Sequence, residues 1–227
     1  MTDLRVFGKN RNVSREGSGG GWVAARGLSD GTMAVVPWVQ ALIMEGYGFT
    51  TQFGAADKDD TDPGTFGAGG VDLTEFDFLQ TLPSNGSVGI IPIFWKPVFE
   101  AIGTIAAIDA LLVFGTGGVK HASGITPTAA NMRPDSSIAS GCTLSALSDA
   151  AGTTIVIGGE IYREGGTHLT GVAGTGQTLM PEWSINKTGY APVIVGASRQ
   201  VAAFASGQAS TGFMTYQWLE MPDEFFD

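Results

Sequence analysis

The sequence predicts an all-β fold, an antiparallel β-sandwich preceded by a flexible N-terminal arm. Three observations support this prediction. First, the 227-residue chain is 43% apolar and only 15% charged, which allows a substantial buried core. Second, its 34 glycines are about twice the average share and mark frequent turns. Third, the segments between these turns are short and rich in β-branched and aromatic residues, which favour strands.

The first 30 residues are polar, basic and rich in glycine, and we interpret them as a flexible basic arm. Residues 1–27 carry five basic and two acidic side chains, whereas the remaining 200 residues carry seven basic and twenty acidic ones. The arm is therefore either a solvated tail or a segment that touches phosphate or an acidic neighbour. Its small charge excess is too weak to predict specific nucleic-acid recognition. The candidate contacts are Arg5, Lys9, Arg11 and Arg15.

Residues 31–227 are interpreted as one sandwich domain. The stretch 32–53 is rich in strand-forming residues, and Pro37 places it at an edge, a strand start or a bulge. Residues 54–70 form a loop by composition. Residues 71–82 alternate between apolar and polar side chains, as a half-buried strand does.

The segment SVGIIPIFWKPVFEAIG at 87–103 is apolar at nearly every position and contains Pro92 and Pro97. A proline inside a helix costs roughly 3 kcal/mol, so two of them predict an extended segment. A single sandwich covers only one face of a strand. The second apolar face therefore requires either an added element or a neighbouring subunit.

The remaining segments continue the same pattern. Residues 104–115, TIAAIDALLVFG, fit a helix or a strand, and the flanking glycines favour a strand. The long connection 116–152 has room for a short helix around 141–150. Further strand candidates are 153–163, 178–185, 190–206 and 211–221. Eight to ten strands with little helix indicate a sandwich or barrel, and eight strands in two sheets suit a single jelly roll.

No residue pattern indicates a catalytic site, and we do not expect an enzyme. His121 and His168 are far apart and lack zinc-ligand spacing. The sequence contains no phosphate loop, dinucleotide fingerprint or nucleophile elbow. Cys142 is the only cysteine, so it has no disulfide partner within the chain. We interpret it as a small buried residue, with a catalytic thiol as the alternative.

An acidic cluster between residues 57 and 62 is the one candidate metal site. Four carboxylates within six residues suit a calcium ion, which prefers oxygen ligands. Counted from the first aspartate, however, the glycine and the final acid of a helix–loop–helix calcium loop are missing. The cluster is therefore either an exposed acidic loop or a structural calcium site, and no other cofactor is expected. Its members are Asp57, Asp59, Asp60 and Asp62.

No secretory signal and no membrane-spanning helix are predicted. The N-terminal residues lack an apolar core of the kind that signal peptides contain. The most apolar run, residues 101–119, is interrupted by Asp109 and four glycines.

As a whole, the chain resembles the single jelly-roll capsid and virion proteins of bacteriophages and other viruses. The resemblance rests on GTMAVVPWVQALIMEG at 31–46, NGSVGIIPIFWKPVFEAIG at 85–103 with the following AAIDALLVFG, and FMTYQWLEMP at 213–222. In that family a basic arm precedes a β-sandwich. The arm of this chain carries less charge than arms that neutralise packaged genomes, so genome binding is not implied.

This resemblance implies a virion structural protein, made in the host cytoplasm, that self-assembles into a symmetric shell. Its partners would be copies of itself and other virion proteins. Large apolar strands would then be buried between subunits. Two alternatives remain: a decoration or tail-associated virion protein, and a carbohydrate-binding sandwich whose tryptophans form a sugar platform. The predicted subunit-interface residues are Phe94, Trp95, Phe99, Trp38 and Trp218.

Overall fold

The sheets of this protein are antiparallel and pack as a sandwich, which confirms the predicted fold class. The structure is a computed structural model that describes residues 37–54, 65–66, 76–102, 106–119, 125–146, 153–168, 181–206 and 210–226. The strands are β1 (Gly48–Gly54), β2 (Thr65–Phe66), β3 (Phe78–Thr81), β4 (Val88–Ile102), β5 (Ala106–Thr116), β6 (Ala130–Asn131), β7 (Thr143–Ala146), β8 (Val156–His168), β9 (Trp183–Ser184), β10 (Gln200–Ser206) and β11 (Ser210–Pro222). The helices are α1 (Trp38–Met44), α2 (Ile185–Thr188) and a final 3-10 turn (Asp223–Phe225).

The strand order follows a nested pairing. One sheet has the order β6-β1-β11-β4-β9, with β2 also pairing with β11, and the other has the order β7-β3-β10-β5-β8. Eight of the strands, taken in chain order, are β1, β3, β4, β5, β8, β9, β10 and β11. The first of these pairs with the last (β1 with β11), and the second pairs with the seventh (β3 with β10). The third pairs with the sixth, β4 with β9, and the two middle strands β5 and β8 pair with each other. The chain therefore wraps as a folded antiparallel ribbon, with short β6 and β7 added along one edge.

The proline-containing segment forms strand β4, as predicted from its two prolines. Pro92 lies opposite Trp218 on β11, next to a register shift, and Pro97 lies opposite Met214. A bulge beside Pro92 is the kind of position where a strand tolerates the missing N–H of proline. The long apolar segment is therefore extended, and the helical alternative for it is excluded.

The main core lies between the two sheets and is built largely from aromatic side chains. Phe49, Trp95 and Trp218 from the first sheet meet Phe78 and Leu112 from the second. Strand β5 also buries side chains on its opposite face, where Leu111 and Val113 join a second apolar cluster. Residues 106–115 of the apolar run are thus strand, and β5 has apolar cover on both faces that comes from the chain itself.

Three sequence-based predictions of secondary structure are wrong. The stretch around Pro37, predicted to be a strand, forms helix α1, because a proline at the start of a helix needs no N–H partner and its carbonyl accepts from Ala41 N at 3.0 Å. In the region 141–150, proposed as a short helix, the described residues form β7, in which Leu144 and Ala146 alternate inward, and residues 147–150 lie outside the described residues. Among the described residues of the strand candidate 178–185 only Trp183–Ser184 is strand, as β9, and the candidate 190–206 is strand only from Gln200 onward, as β10.

The sandwich belongs to a unit that spans Leu42–Asp227, while residues 38–41 of α1 belong to a separate unit. The predicted arm at residues 1–30 lies outside the described residues. Within the part of the chain that the structure describes, no helix combines the length and apolarity needed to cross a membrane.

Candidate functional site

Two of the predicted interface tryptophans lie in the core of a single copy. Trp95 and Trp218 have no exposed surface. The Trp95 ring packs edge-on against Tyr162, and its indole N–H donates to Met214 Sδ at 3.1 Å. Trp218 stacks on Phe49 at a centroid distance of 5.7 Å. The interface prediction does not hold for these two residues, because neither reaches a second copy without unfolding the sandwich.

The other predicted interface residues differ in position. Phe94 is half-buried on β4, where it pairs with Ser184 and Gln217. Trp38 on α1 is 50% exposed. Phe99 belongs to β4, but its side chain lies outside the described residues.

The charged candidate sites fall outside the part of the chain that the structure describes. This holds for the arm residues Arg5, Lys9, Arg11 and Arg15 and for the acidic cluster Asp57, Asp59, Asp60 and Asp62. Among the described residues, no group of three His, Cys, Asp or Glu side chains is arranged to hold a metal ion.

Exposed apolar side chains concentrate at one end of the sandwich. We call the end at which β1 begins the upper end. There β11 ends and β4 and β10 begin, and the described parts of the connections run at this end: 82–87, 117–119, 126–142, 153–155 and 185–199. Within Leu42–Asp227, every exposed large apolar side chain that the structure describes lies at this end: Met44, Val119, Ile138, Val156, Tyr190, Val193 and Val195. Exposed apolar side chains that gather in one region are candidates for an interaction surface.

The upper end includes the segment between residues 190 and 195, which we call the protruding segment. Tyr190 is 71% and Val193 is 52% exposed. The segment is nevertheless held in place, because Ile194 is buried and forms an antiparallel bridge with Ile90, with both hydrogen bonds at 2.9 Å. Gly189 ends α2 in a left-handed conformation, φ 77°, and directs the chain into this segment. The result is an apolar protrusion of fixed conformation.

A groove of about 380 Å³ lies on the opposite edge of the same end. It runs beside the short strands β6 and β7. Its apolar floor contains Phe49 and Leu144, and its rim contains Asn131, Ile138 and Ser140. The volume lies within the range of small-ligand or side-chain pockets.

Hydrogen bonds fix the wall of this groove that is formed by β6 and the connection after it. Asn131 Nδ2 donates to the carbonyls of Gly46 at 2.7 Å and Ile138 at 3.0 Å. Arg133 donates to the carbonyl of Met44 at 2.9 Å and pairs with Asp135. The connection after β6 is therefore tied to the segment that leads into β1.

A buried carboxylate fixes the part of the groove wall formed by residues 140 and 141. Glu220 of β11 is 5% exposed and accepts from Ser140 Oγ at 2.7 Å and from Gly141 N at 2.6 Å. It also accepts from the indole N–H of Trp218 at 3.2 Å. A buried carboxylate needs such donors, because an unpaired charge in the interior is costly. These bonds, which we call the Glu220 clamp, hold residues 140–141 against the sheet.

The thiol of Cys142 lines the groove in its neutral form. Burial raises its pKa well above the usual range for cysteine, and the nearby negative charge of Glu220 raises it further. Burial also raises the pKa of the Tyr216 hydroxyl, with a smaller effect from Cys142. A nucleophilic cysteine requires the thiolate, so this environment favours the interpretation of Cys142 as a packing residue.

Ion pairs in the described residues lie on the surface. Glu182 accepts from Lys187 at 2.7 Å and from Lys96 at 3.1 Å, and these bonds, Lys187 first, lower the pKa of Glu182. Hydrogen bonding and charge lower the pKa of Asp135 and raise that of Arg133. Such exposed pairs contribute little stability each.

The groove and its Glu220 clamp were not predicted from the sequence. One signal was present: Glu220 is the only acid in the apolar stretch FMTYQWLEMP at 213–222. An isolated acid in an otherwise buried strand indicates a carboxylate with specific donors. The donors themselves come from residues 140 and 141, about 80 positions earlier, and nothing in the sequence links the two regions.

In comparisons with known proteins, no family model, no curated protein and no solved structure matches this chain.

Proposed function

We propose that this protein is a structural subunit that self-assembles into a symmetric, virus-like shell. The observation that carries the proposal is the nested strand order, in which eight strands wrap as a double ribbon into two four-strand groups. This is the order expected of a single jelly roll, an architecture common among viral capsid domains. Fold alone does not determine function, so the proposal also needs a surface suited to assembly.

The upper end supplies such a surface. It gathers seven exposed apolar side chains, and the described parts of its connections contain few charged side chains: Arg133 and Asp135, which pair with each other, Lys187 and Arg199. Subunit contacts are depleted in charge at their centre and enriched in aromatic residues. The proposed role requires surface complementarity and no catalytic residue. As a virion protein, the chain would be made in the host cytoplasm and incorporated into particles.

The alternative of a sugar platform has less support. Such a platform needs exposed tryptophans, but Trp95, Trp183 and Trp218 are fully buried. A decoration or tail-associated virion protein would share the same fold and remains an outcome of the test below.

The test is to purify the 227-residue chain and examine it by light scattering and negative-stain microscopy. Closed particles or regular tubes of uniform size are the expected result. A small oligomer that binds only to preformed shells would favour the decoration role. A chain that remains monomeric at high concentration would contradict self-assembly.

A further inference from the structure

Two apolar surfaces at the upper end lie on opposite edges of the sandwich. The groove lies beside β6, the first strand of the path β6-β1-β11-β4-β9. The protruding segment follows β9, the last strand of that path, and bridges to β4 through Ile194. Three to four strand spacings separate them, about 14–19 Å at roughly 4.8 Å each. Because its bridge holds the segment in place, the segment does not fill the groove of its own copy.

Both surfaces are free of charge. No acidic or basic side chain occurs between Thr188 and Ser198, and none lines the groove. The whole chain carries a formal net charge of −10, so identical copies repel one another over most of their surface. Two neutral apolar surfaces are where identical copies approach at the lowest electrostatic cost. This match in charge favours a second copy of the chain as the occupant of the groove.

The size of the groove also suits a side chain of the protruding segment. The groove offers about 380 Å³ over the apolar floor of Phe49 and Leu144. Tyr190 and Val193 project from the protruding segment with most of Tyr190 in solvent. An aromatic side chain in a preformed pocket is a common anchor of protein interfaces. Because the Ile194 bridge and the Glu220 clamp already fix both surfaces, little conformational entropy is lost when they meet.

We propose that the protruding segment of one copy docks into the groove of the next copy, and that this contact propagates assembly. The inference rests on the proposed self-assembly and adds to it the surfaces involved. Because the two surfaces differ, the contact is head-to-tail rather than two-fold symmetric. Head-to-tail contacts close into rings or extend into a lattice, which a shell requires.

Three single substitutions test this contact. Val193→Glu places a charge on the protruding segment, and Ala139→Glu places a charge of the same sign at the exposed rim of the groove. Gln52→Glu is the control, because it places the same charge at an exposed position of β1 outside both surfaces and outside the connections of the upper end. We expect the first two variants to raise the concentration needed for assembly at least about tenfold, since each buries an unpaired charge on docking. Circular dichroism checks that all three remain folded.

Mixing the two disabled variants gives the decisive readout. Each retains one intact surface, and the two disabled surfaces carry charges of the same sign, so an equimolar mixture of Val193→Glu and Ala139→Glu should form a 1:1 dimer in sedimentation velocity, while each alone stays monomeric. No dimer in the mixture, or an equal loss of assembly in Gln52→Glu, would overturn the docking inference. If the wild type assembles and both variants assemble equally well, the inference is wrong and the proposed function stands. A monomeric wild type would overturn both.

Discussion

The Glu220 clamp gives the most quantitative prediction, because its removal affects three identified donors. In Glu220→Ala the amide of Gly141, the hydroxyl of Ser140 and the indole of Trp218 lose their shared acceptor. The wall of the groove between residues 140 and 142 then loses these hydrogen bonds to β11. We expect lower stability together with loosening of this wall.

The expected loss follows from the surroundings of each donor. Trp218 is fully buried, so its unsatisfied N–H costs about 1–3 kcal/mol. Gly141 is exposed and Ser140 is half-buried, so both donors can form hydrogen bonds to water instead. They lose only the additional strength that the charge of the carboxylate gave to their hydrogen bonds. Removing a buried carboxylate also relieves its own desolvation, which offsets part of the cost. The net expectation is a decrease of about 2–3 kcal/mol in the free energy of unfolding.

Urea denaturation followed by tryptophan fluorescence measures this change. The control is Glu160→Ala, which removes an exposed carboxylate paired with Arg163 at 2.7 Å and should cost less than about 1 kcal/mol. Amide hydrogen exchange should show faster exchange at Gly141 and Cys142 in Glu220→Ala alone. A Glu220→Ala loss no larger than that of the control, with unchanged exchange, would refute the role assigned to the clamp.

Three further predictions follow from individual side chains. Trp95→Ala should lower the free energy of unfolding by about 3–5 kcal/mol, measured by urea denaturation, because the ring is fully buried in the core; a loss below 1 kcal/mol would contradict its placement. Cys142 should react with iodoacetamide at pH 7.5 far more slowly than after denaturation, since burial raises its thiol pKa; equal rates would contradict its burial. Because Lys187 and Lys96 lower the pKa of Glu182, this group stabilises the fold above the ordinary glutamate pKa of about 4.3 and loses that contribution as the pH falls through its lower folded value. Thermal melting of Glu182→Gln from pH 3 to 7 should therefore differ from the wild type at neutral pH and converge in acid, and a constant difference would contradict the pairing.

Local chemistry was sufficient to predict much of the fold. Pro92 and Pro97 excluded a helix at 87–103, and glycine-bounded apolar runs located β5, β8 and β11. These signals act within a few residues, so the sequence displays them directly. The failure at Pro37 has the same origin, because a proline suits both a strand start and the first turn of a helix.

Long-range contacts account for what could not be predicted. Trp95 and Phe94 are neighbours in the sequence, yet the pleat of β4 buries Trp95 in the core and leaves Phe94 half-exposed. Which side faces inward depends on the pairing of β4 with β11, which composition does not give. The Glu220 clamp and the groove likewise depend on contacts across about 80 residues.

Self-assembly is the central claim, and sedimentation velocity of the 227-residue wild-type chain over a wide concentration range tests it most directly. The account predicts a fast boundary of uniform large particles that grows at the expense of slower species as concentration rises. A single boundary of a 23.5 kDa monomer at every concentration would contradict it.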